Sequence, residues 1–163
     1  MRMVQANGPK CVLSGVKSFN RIWQFPTAWF VPPEKPIEIP HILVAEDDLD
    51  TRELVEMVLR RAEFRVTSTG DPYEVLELLA SYRFDALLLD NWMPKLNGIE
   101  LCRLIRSTND DVVIVFCSGA VAESDKQAAF AAGAQAFIGK PFLPQELTAT
   151  LSSALNITSL PNN

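Results

Sequence analysis

Three carboxylates at the ends of apolar segments, and one lysine further along the chain, have the residue types needed for phosphoryl chemistry. Glu46 and Asp47 directly follow one apolar run, and Asp90 directly follows another. Mg²⁺ suits such oxygen ligands, because it takes one or two carboxylates and keeps waters that a phosphate can displace. Lys140 would supply a positive charge for a phosphoryl oxygen. These residues predict a pocket for a divalent cation and a phosphoryl group.

Repulsion among the carboxylates is a further reason to expect a cation. Two unit charges about 4 Å apart in an effective dielectric of about 20 repel by about 4 kcal/mol, which a divalent ion would offset. Asp90 would be the nucleophile, because an aspartate carboxylate can form an acyl phosphate. Ser118 ends a further apolar run and would donate its hydroxyl to the phosphoryl group. Phosphoryl transfer needs little else, since it depends mainly on positioning and charge stabilisation.

The apolar runs that lead into these residues are typical of strands buried on both faces of a parallel sheet. They are short, continuous and bounded by turn residues. A fourth segment alternates apolar and polar residues, and a fifth is very short. The predicted strands are 42–45, 64–69, 86–89, 112–117 and 136–138.

Helical patterns separate the predicted strands. The segment 50–53 has the form of a capping box at the start of the first helix, and Asp48 is expected to support the acidic pair or to cap that helix. Asp71 and Pro72 give the second helix an N-cap and a proline at its first position. Three more helices are predicted after Gly98, from about Glu123 to a C-terminal Gly133, and from Pro144.

Five β-α units in strict alternation predict an α/β fold with a doubly wound, five-stranded parallel sheet and helices on both faces. Right-handed crossovers restrict the possible strand orders, and the flavodoxin-like order 2-1-3-4-5 is the one we expect. In this order the ends of strands one and three meet at the switch point, where open α/β sheets bind ligands. Glu46 and Asp47 would then face Asp90.

Composition divides the chain into three parts. Residues 1–40 hold six of the 11 prolines and two of the three tryptophans, with five basic and two acidic residues. The remainder carries ten basic and 18 acidic residues. We predict a Pro- and aromatic-rich extension over 1–40 that is partly ordered or disordered, one domain over 41–157 and a short tail over 158–163.

Charge, cysteines and hydropathy exclude several classes of protein. The net charge of −5 argues against non-specific nucleic-acid binding. The three cysteines show no metal-binding spacing and fit a reducing cytosol better than a disulfide scaffold. No apolar run approaches the roughly 18 residues that a membrane span needs, and no signal peptide is evident. We therefore expect a cytoplasmic protein without a membrane span.

The sequence resembles the receiver domain of two-component response regulators from residue 42 to about residue 155. Four motifs carry the resemblance, and they occur in the family's order and at its spacing. They are ILVAEDD at 42–48, LLLDNWMPKLNG at 87–98, VFCSG at 115–119 and GAQAFIGKPF at 133–142. Each motif is weak alone, and together they are specific.

This resemblance implies a Mg²⁺ site. The acidic pair after strand one, which holds the metal in the family, falls on Glu46 and Asp47. Asp90 completes the carboxylate set. The family's backbone carbonyl ligand, two residues past the acceptor, falls on Trp92.

The resemblance also implies roles for the remaining site residues. Asp90 would be the phosphoacceptor, with Ser118 and Lys140 contacting the phosphoryl group. Ser118 and Phe137 would act as the switch residues, although Phe137 lacks the hydroxyl of the more frequent tyrosine. The peptide bond between Lys140 and Pro141 would be cis.

The implied partners are a sensor histidine kinase or a histidine phosphotransfer protein, and a downstream protein target. Such a domain is a signalling module that promotes its own phosphorylation and dephosphorylation, and it is not an enzyme for an external substrate. Eight residues follow Leu155, so we expect a stand-alone receiver with no direct DNA binding. The indole of Trp92 is expected at the rim of the site, across from Ala120, where it would hinder the water that hydrolyses an acyl phosphate.

Three alternative functions fit these residues less well. A degenerate receiver that only binds partners would lack the acids or the lysine, and all are present. A Mg²⁺-dependent phosphohydrolase typically needs a second carboxylate two residues past its nucleophile, where this chain has Trp92. A flavodoxin-like binder would need a Ser/Thr/Gly phosphate loop after strand one, where this chain has acids. The phosphoacceptor function is favoured.

Overall fold

Strands and helices alternate throughout the part of the chain that the computed structural model describes, which comprises residues 39–108, 111–119 and 121–157. The strands are β1 His41–Ala45, β2 Arg65–Thr69, β3 Ala86–Leu89, β4 Val113–Ser118 and β5 Ala136–Gly139. The helices are α1 Leu49–Arg61, α2 Pro72–Ser81, α3 Gly98–Ser107, α4 Glu123–Ala132 and α5 Pro144–Ala154. None of these helices has both the length and the apolar character needed to cross a membrane. The predicted tail 158–163, and the predicted extension apart from residues 39 and 40, lie outside the described residues.

All neighbouring strands pair in parallel, in the order β2-β1-β3-β4-β5, which confirms the predicted fold. The register of the central pair decides where the acidic residues meet. Ala45 lies opposite Leu89, and the Asp90 amide continues the ladder by donating to the Ala45 carbonyl at 2.9 Å. On the other side of β1, the Glu46 amide donates to the Thr69 carbonyl at 3.1 Å. Glu46 and Asp90 therefore emerge side by side at the C-terminal edge of the sheet.

The first helix begins earlier than the capping-box pattern at residues 50–53 predicted, so that prediction is wrong. Asp48 is the N-cap, in an extended conformation, and its Oδ1 accepts the amide of Thr51 at 2.8 Å. Since α1 starts at Leu49, Asp50 already lies inside the first turn. Of the two roles expected for Asp48, the structure shows the capping role. Only residues 46–48 connect β1 to α1.

The other predicted helix ends agree with the structure. Asp71 caps α2 by accepting the Tyr73 amide at 3.0 Å, with Pro72 as the first helical residue. Gly133 ends α4 in the left-handed region at φ 109°, which favours glycine. Asn97 caps α3 by accepting the amide of Glu100 at 2.9 Å.

Two apolar clusters cover the two faces of the sheet, so the strands carry apolar residues toward both sides. Successive residues of β1 alternate between the clusters, as the period of a strand requires. Each fully buried Leu, Ile or Val contributes about 1.5–3 kcal/mol relative to an exposed one. The cluster under α1 and α5 includes Ile42, Val44, Val55, Leu59, Leu147 and Leu151. The cluster under α2, α3 and α4 includes Leu43, Ala45, Leu87, Val75, Leu101 and Ala129.

Two cysteines belong to this core, one on each face of the sheet. Cys102 and Cys117 are free thiols and are 0% and 2% exposed. Burial raises the pKa of both thiols, and it raises that of Cys117 to about 12. A thiolate nucleophile next to Ser118 is therefore excluded at neutral pH.

Candidate functional site

The three carboxylates that the strand order was expected to bring together form one cluster. Glu46 and Asp90 are each 5% exposed, whereas Asp47 is exposed. One carboxylate oxygen of each residue lies within 4.8 Å of the others. The site is thus an acidic pocket at the switch point, in which Glu46 and Asp90 are buried and Asp47 faces solvent.

Lys140 reaches this cluster from the end of β5. Its Nζ lies 2.5 Å from Oε2 of Glu46 and 3.1 Å from Oδ1 of Asp90. The backbone fixes the origin of the side chain, because the Lys140 amide donates to the Ser118 carbonyl at 2.9 Å. The peptide bond to Pro141 is cis, as the resemblance implied. One ammonium group therefore pairs with two nearly buried carboxylates.

The pKa shifts at the site agree with this pairing. Burial raises the pKa of Glu46, and the charges of Asp90 and Asp47 add to the increase while Lys140 opposes it. Burial lowers the pKa of Lys140, but the hydrogen bonds and charges of Glu46 and Asp90 outweigh it and raise that pKa overall. Lys140 is therefore protonated at neutral pH and acts as the counter-ion of the pocket.

The donor set fits Mg²⁺. Three carboxylates and one ammonium group leave two negative charges when all are ionised, and every cluster ligand is a hard oxygen. Mg²⁺ prefers such ligands and usually takes only one or two carboxylates beside its waters. Asp47 is open to solvent, which leaves room for those waters.

Trp92 contacts the Asp90 carboxylate through its backbone amide, a group that the sequence did not indicate. Its backbone amide donates to Oδ2 of Asp90 at 2.9 Å. Aspartate often accepts the amide two residues ahead, and this Asx turn was the available signal. The two oxygens of Asp90 therefore have different partners, Lys140 and this amide. The role of the Trp92 carbonyl as a metal ligand stays a prediction.

The loop that follows Asp90 is held against the start of α3. The Gly98 amide donates to the Asn91 carbonyl at 2.9 Å, and the Ile99 amide donates to Oδ1 of Asn91 at 3.3 Å. Lys95 has a left-handed backbone at φ 73°, and its Nζ lies 2.5 Å from Oδ2 of Asp71. The sequence predicted only a turn here and none of these contacts.

The two residues expected to act as the switch lie on adjacent strands. Ser118 is fully buried at the end of β4, and Phe137 is half-buried on β5. The ring of Phe137 stacks on that of Phe116, with centroids 6.4 Å apart and planes 4° from parallel. Such offset stacking is a favoured aromatic geometry. The switch roles themselves stay predictions.

Comparison of the sequence with known proteins finds a matching family and similar curated proteins. The model of the response regulator receiver domain family matches residues 42–152. Response regulator MprA of Mycobacterium ulcerans is 40% identical over 119 residues, which are 73% of this chain and 51% of that protein. MprA of Mycobacterium sp. (strain KMS) is 39% identical over 118 residues, 72% of this chain and 51% of that protein. The chain spans about half the length of the curated relatives it matches.

Solved receiver structures have the same fold. Chemotaxis protein CheY4 of Vibrio cholerae superposes with a TM-score of 0.69 at 27% identity, over 72% of this chain and 99% of that one. The receiver domain of sensor histidine kinase PA1611 from Pseudomonas aeruginosa gives 0.67 at 27% identity, over 73% and 99%. That structure has a magnesium ion coordinated in its active site cleft. From the match over residues 42–152 and these similarities, the chain belongs to the response regulator receiver domain family.

Proposed function

We propose that the described domain accepts a phosphoryl group on Asp90 from a sensor histidine kinase or a histidine phosphotransfer protein, in a Mg²⁺-dependent phosphorelay. The observation that carries this proposal is the environment of the Asp90 carboxylate. It is 5% exposed, lies 3.1 Å from the Lys140 ammonium and belongs to a three-carboxylate cluster. Glu46, Asp47 and Asp90 would hold the metal, and the magnesium in the PA1611 receiver supports that assignment.

In the proposed reaction, a carboxylate oxygen of Asp90 attacks the phosphorus of a phosphohistidine. The new P–O bond forms as the P–N bond breaks, and the imidazole leaves with the bonding electron pair, its other nitrogen carrying the proton. Bound Mg²⁺ supplies charge neutralisation for the phosphoryl oxygens. The Lys140 ammonium group would stabilise the negative charge of the same oxygens, and Ser118 would donate its hydroxyl to the phosphoryl group. No side chain has to remove a proton from Asp90, which is needed as a carboxylate.

The product would act as a signal. We propose that the domain is not an enzyme for an external substrate, but promotes its own phosphorylation and dephosphorylation in the cytoplasm. Ser118 would move toward the phosphoryl group and Phe137 would follow, so that the face around β4, α4, β5 and α5 changes. A downstream protein would read that face. The expected stand-alone organisation and absence of direct DNA binding draw no support from the curated relatives, since the chain spans about half of their length.

Asp90→Asn is expected to abolish phosphorylation, because it removes the nucleophilic oxygen while keeping the shape of the side chain. The full chain and the variant would be incubated with acetyl phosphate and Mg²⁺, and intact mass would be measured. The wild type should gain one phosphoryl group and Asp90→Asn none. Asp50→Asn is the matched control, since it makes the same change at an exposed carboxylate in α1.

Two results would contradict the proposed function. One is a phosphoryl gain in Asp90→Asn equal to that of the wild type, which would place the acceptor elsewhere. The other is no gain in the wild type at any Mg²⁺ concentration. Removal of Mg²⁺ with a chelator should stop phosphorylation of the wild type and of Asp50→Asn alike.

Trp92→Asn is expected to shorten the lifetime of the phosphorylated form by about threefold or more, a change of about 0.7 kcal/mol or more in the barrier. The Trp92 side chain is 68% exposed at the site, and an indole cannot accept a hydrogen bond from the attacking water. Asparagine could hold that water, while the backbone amide would still contact Asp90. Ala120, expected across the site from Trp92, lies outside the described residues.

Phosphate loss from the fully loaded proteins would be timed by intact mass after removal of the phosphodonor. Tyr82→Asn is the control, because Tyr82 is an aromatic side chain of similar exposure, 62%, at the end of α2. It should leave the lifetime unchanged. Slower or unchanged loss from Trp92→Asn would refute the shielding role of the indole.

A further inference from the structure

Arg52 contacts the loop that carries two of the three carboxylates, although it is not a member of the cluster. It lies in the first turn of α1 and is half-buried. Its Nη1 donates to the Glu46 carbonyl at 2.6 Å and lies 3.4 Å from the Asp47 carbonyl. Among the described residues, Arg52 forms no ion pair within 4.0 Å. Its guanidinium is therefore directed at the loop backbone.

Gly70, at the end of β2, leaves the space that this guanidinium occupies. A Cβ at Gly70 would lie 2.7 Å from Nη1 of Arg52, and 3.4 Å from the Glu46 carbonyl oxygen. The backbone of Gly70 does not have the positive φ that would require glycine. The absence of a side chain at residue 70 is thus explained by the position of Arg52.

The contact is well placed to control the metal ligands. Glu46 and Asp47 lie in the three-residue connection between β1 and α1. On the strand side, this connection is held by the bond from the Glu46 amide to the Thr69 carbonyl at 3.1 Å. On the helix side, the Arg52 guanidinium binds the carbonyls of Glu46 and Asp47. Such charge-assisted hydrogen bonds are about twice as strong as neutral ones. Carboxylates on a loop fixed at both ends can bind a cation with little reorganisation.

We propose that Arg52 is a positioning residue for the divalent cation, and that it acts by holding the 46–48 loop through the space that Gly70 provides. The inference rests on the proposed Mg²⁺ site and adds two residues that support it. Partners that orient metal ligands typically contribute about 10- to 100-fold to metal affinity. We expect the lower value here, because Arg52 contacts the backbone of the ligands and not their carboxylates.

The direction in which Mg²⁺ affinity changes distinguishes a positioning role of Arg52 from a purely electrostatic one. Arg52→Ala removes a positive charge near an acidic pocket, so a purely electrostatic role predicts tighter Mg²⁺ binding. Positioning predicts weaker binding, by about tenfold. Alanine is the best helix former, so α1 should not be weakened by the change itself. Arg61→Ala is the charge-matched control, since Arg61 is exposed in the last turn of α1.

Gly70→Ala tests the same contact without changing any charge. Its methyl group would displace the guanidinium, so Mg²⁺ affinity should fall as it does in Arg52→Ala. The double variant should bind no more weakly than Arg52→Ala alone, because the methyl group then meets no guanidinium. Such non-additivity is the signature of a direct contact. Additive losses would overturn the role of Gly70 as the space for Arg52.

The affinity would be measured on the full chain by titrating Mg²⁺ alone and following backbone amide shifts by NMR. Amide exchange of residues 46–48 in the metal-free protein would be measured in parallel, and it should be faster in Arg52→Ala and Gly70→Ala. Unchanged exchange, or unchanged or tighter Mg²⁺ binding in Arg52→Ala, would overturn the proposal.

Phosphorylation kinetics give the final distinction. In Arg52→Ala, the Mg²⁺ concentration for half-maximal phosphorylation by acetyl phosphate should rise by about tenfold, while the rate at saturating Mg²⁺ stays close to that of the wild type. A lower phosphorylation rate at saturating Mg²⁺, with an unchanged Mg²⁺ concentration for half-maximal phosphorylation, would contradict the positioning role of Arg52. Failure of the wild type to accept phosphate would defeat the proposed function, whereas the amide-exchange comparison would still decide the role of Arg52.

Discussion

Replacing Lys140 by methionine is expected to lower the free energy of unfolding of the metal-free protein by about 3 kcal/mol. Lys140 pairs with Glu46 at 2.5 Å and with Asp90 at 3.1 Å, and both carboxylates are 5% exposed. Removing one partner of a buried ion pair typically costs about 3–5 kcal/mol, because an uncompensated charge stays buried. Methionine keeps the length of the side chain, so the loss should reflect charge and not packing.

The loss of stability caused by Lys140→Met should be smaller at low pH. Burial raises the pKa of Glu46 above its ordinary value of 4.5, so the folded protein binds this proton more tightly than the unfolded chain does. Glu46 therefore favours folding most at low pH, and that contribution is lost as the pH rises from about 4.5 through the raised pKa. Without Lys140 the pKa should rise further. The difference in stability between wild type and Lys140→Met should shrink as the pH falls.

Mg²⁺ should reverse much of the loss. Lys140 already neutralises part of the pocket, and its removal leaves a more negative site for a divalent cation. The variant should therefore bind Mg²⁺ more tightly than the wild type and gain more stability from it. Phosphorylation should nevertheless be slower, because the ammonium group that would stabilise the phosphoryl oxygens is gone.

Urea denaturation followed by circular dichroism, with and without Mg²⁺, measures both effects. Lys95→Met is the control, because the Lys95–Asp71 pair is exposed, with side-chain exposures of 57% and 40%. Exposed ion pairs contribute little to stability because water screens them, so this control should be nearly neutral. A loss in Lys140→Met no larger than that of the control, or weaker Mg²⁺ binding, would show that Lys140 is not the counter-ion of the pocket.

The fold was predictable because its central strands are buried on both faces. This burial makes the runs that end at Ala45 and Leu89 continuously apolar, and helices of ordinary length separate them. The strict alternation then leaves few topologies, since crossovers are right-handed. The meeting of Glu46 with Asp90 follows from the strand order and from the residue at which each strand ends, without any knowledge of side-chain conformation.

The start of α1 was predicted incorrectly, because two competing signals lie two residues apart. The segment 50–53 has the local pattern of a capping box, but Asp48 makes the cap. A capping box describes only local hydrogen bonds. Where the helix starts also depends on how its apolar face packs on the sheet, and Val55, Val58 and Leu59 are the buried residues of that face.

The contacts around the carboxylates could not be predicted, because they join segments that are distant in sequence or use backbone groups. Arg52 reaches the Glu46 carbonyl only because Gly70, which follows β2, leaves space beside it. The Trp92 amide contacts Asp90 whatever side chain residue 92 carries. Residue type and spacing identify the chemical groups of a site. The geometry that supports them depends on how closely the backbones approach.

Gly98→Ala is expected to lower the free energy of unfolding by about 3 kcal/mol, at the upper end of the cost of overpacking. The added Cβ would lie 2.4 Å from the Asp90 carbonyl oxygen and 2.9 Å from Cα of Asn91. Both atoms belong to the backbone, so no side-chain rotation can relieve the clash. Gly98 does not have a positive φ, so the requirement for glycine comes from this approach alone.

The loop that follows Asp90 must move to admit the methyl group, and this movement should also slow the proposed phosphorylation of Asp90. Gly119→Ala is the matched control, because a Cβ there meets no atom of the described residues within 4 Å and the backbone has an ordinary φ. Alanine at such a position typically stabilises by about 0.4–1 kcal/mol, through the lower entropy of the unfolded chain. Urea denaturation should therefore show changes of opposite sign in the two variants. If Gly98→Ala were as stable as the wild type, the close packing of α3 on the Asp90 backbone would not be what holds the loop that follows Asp90.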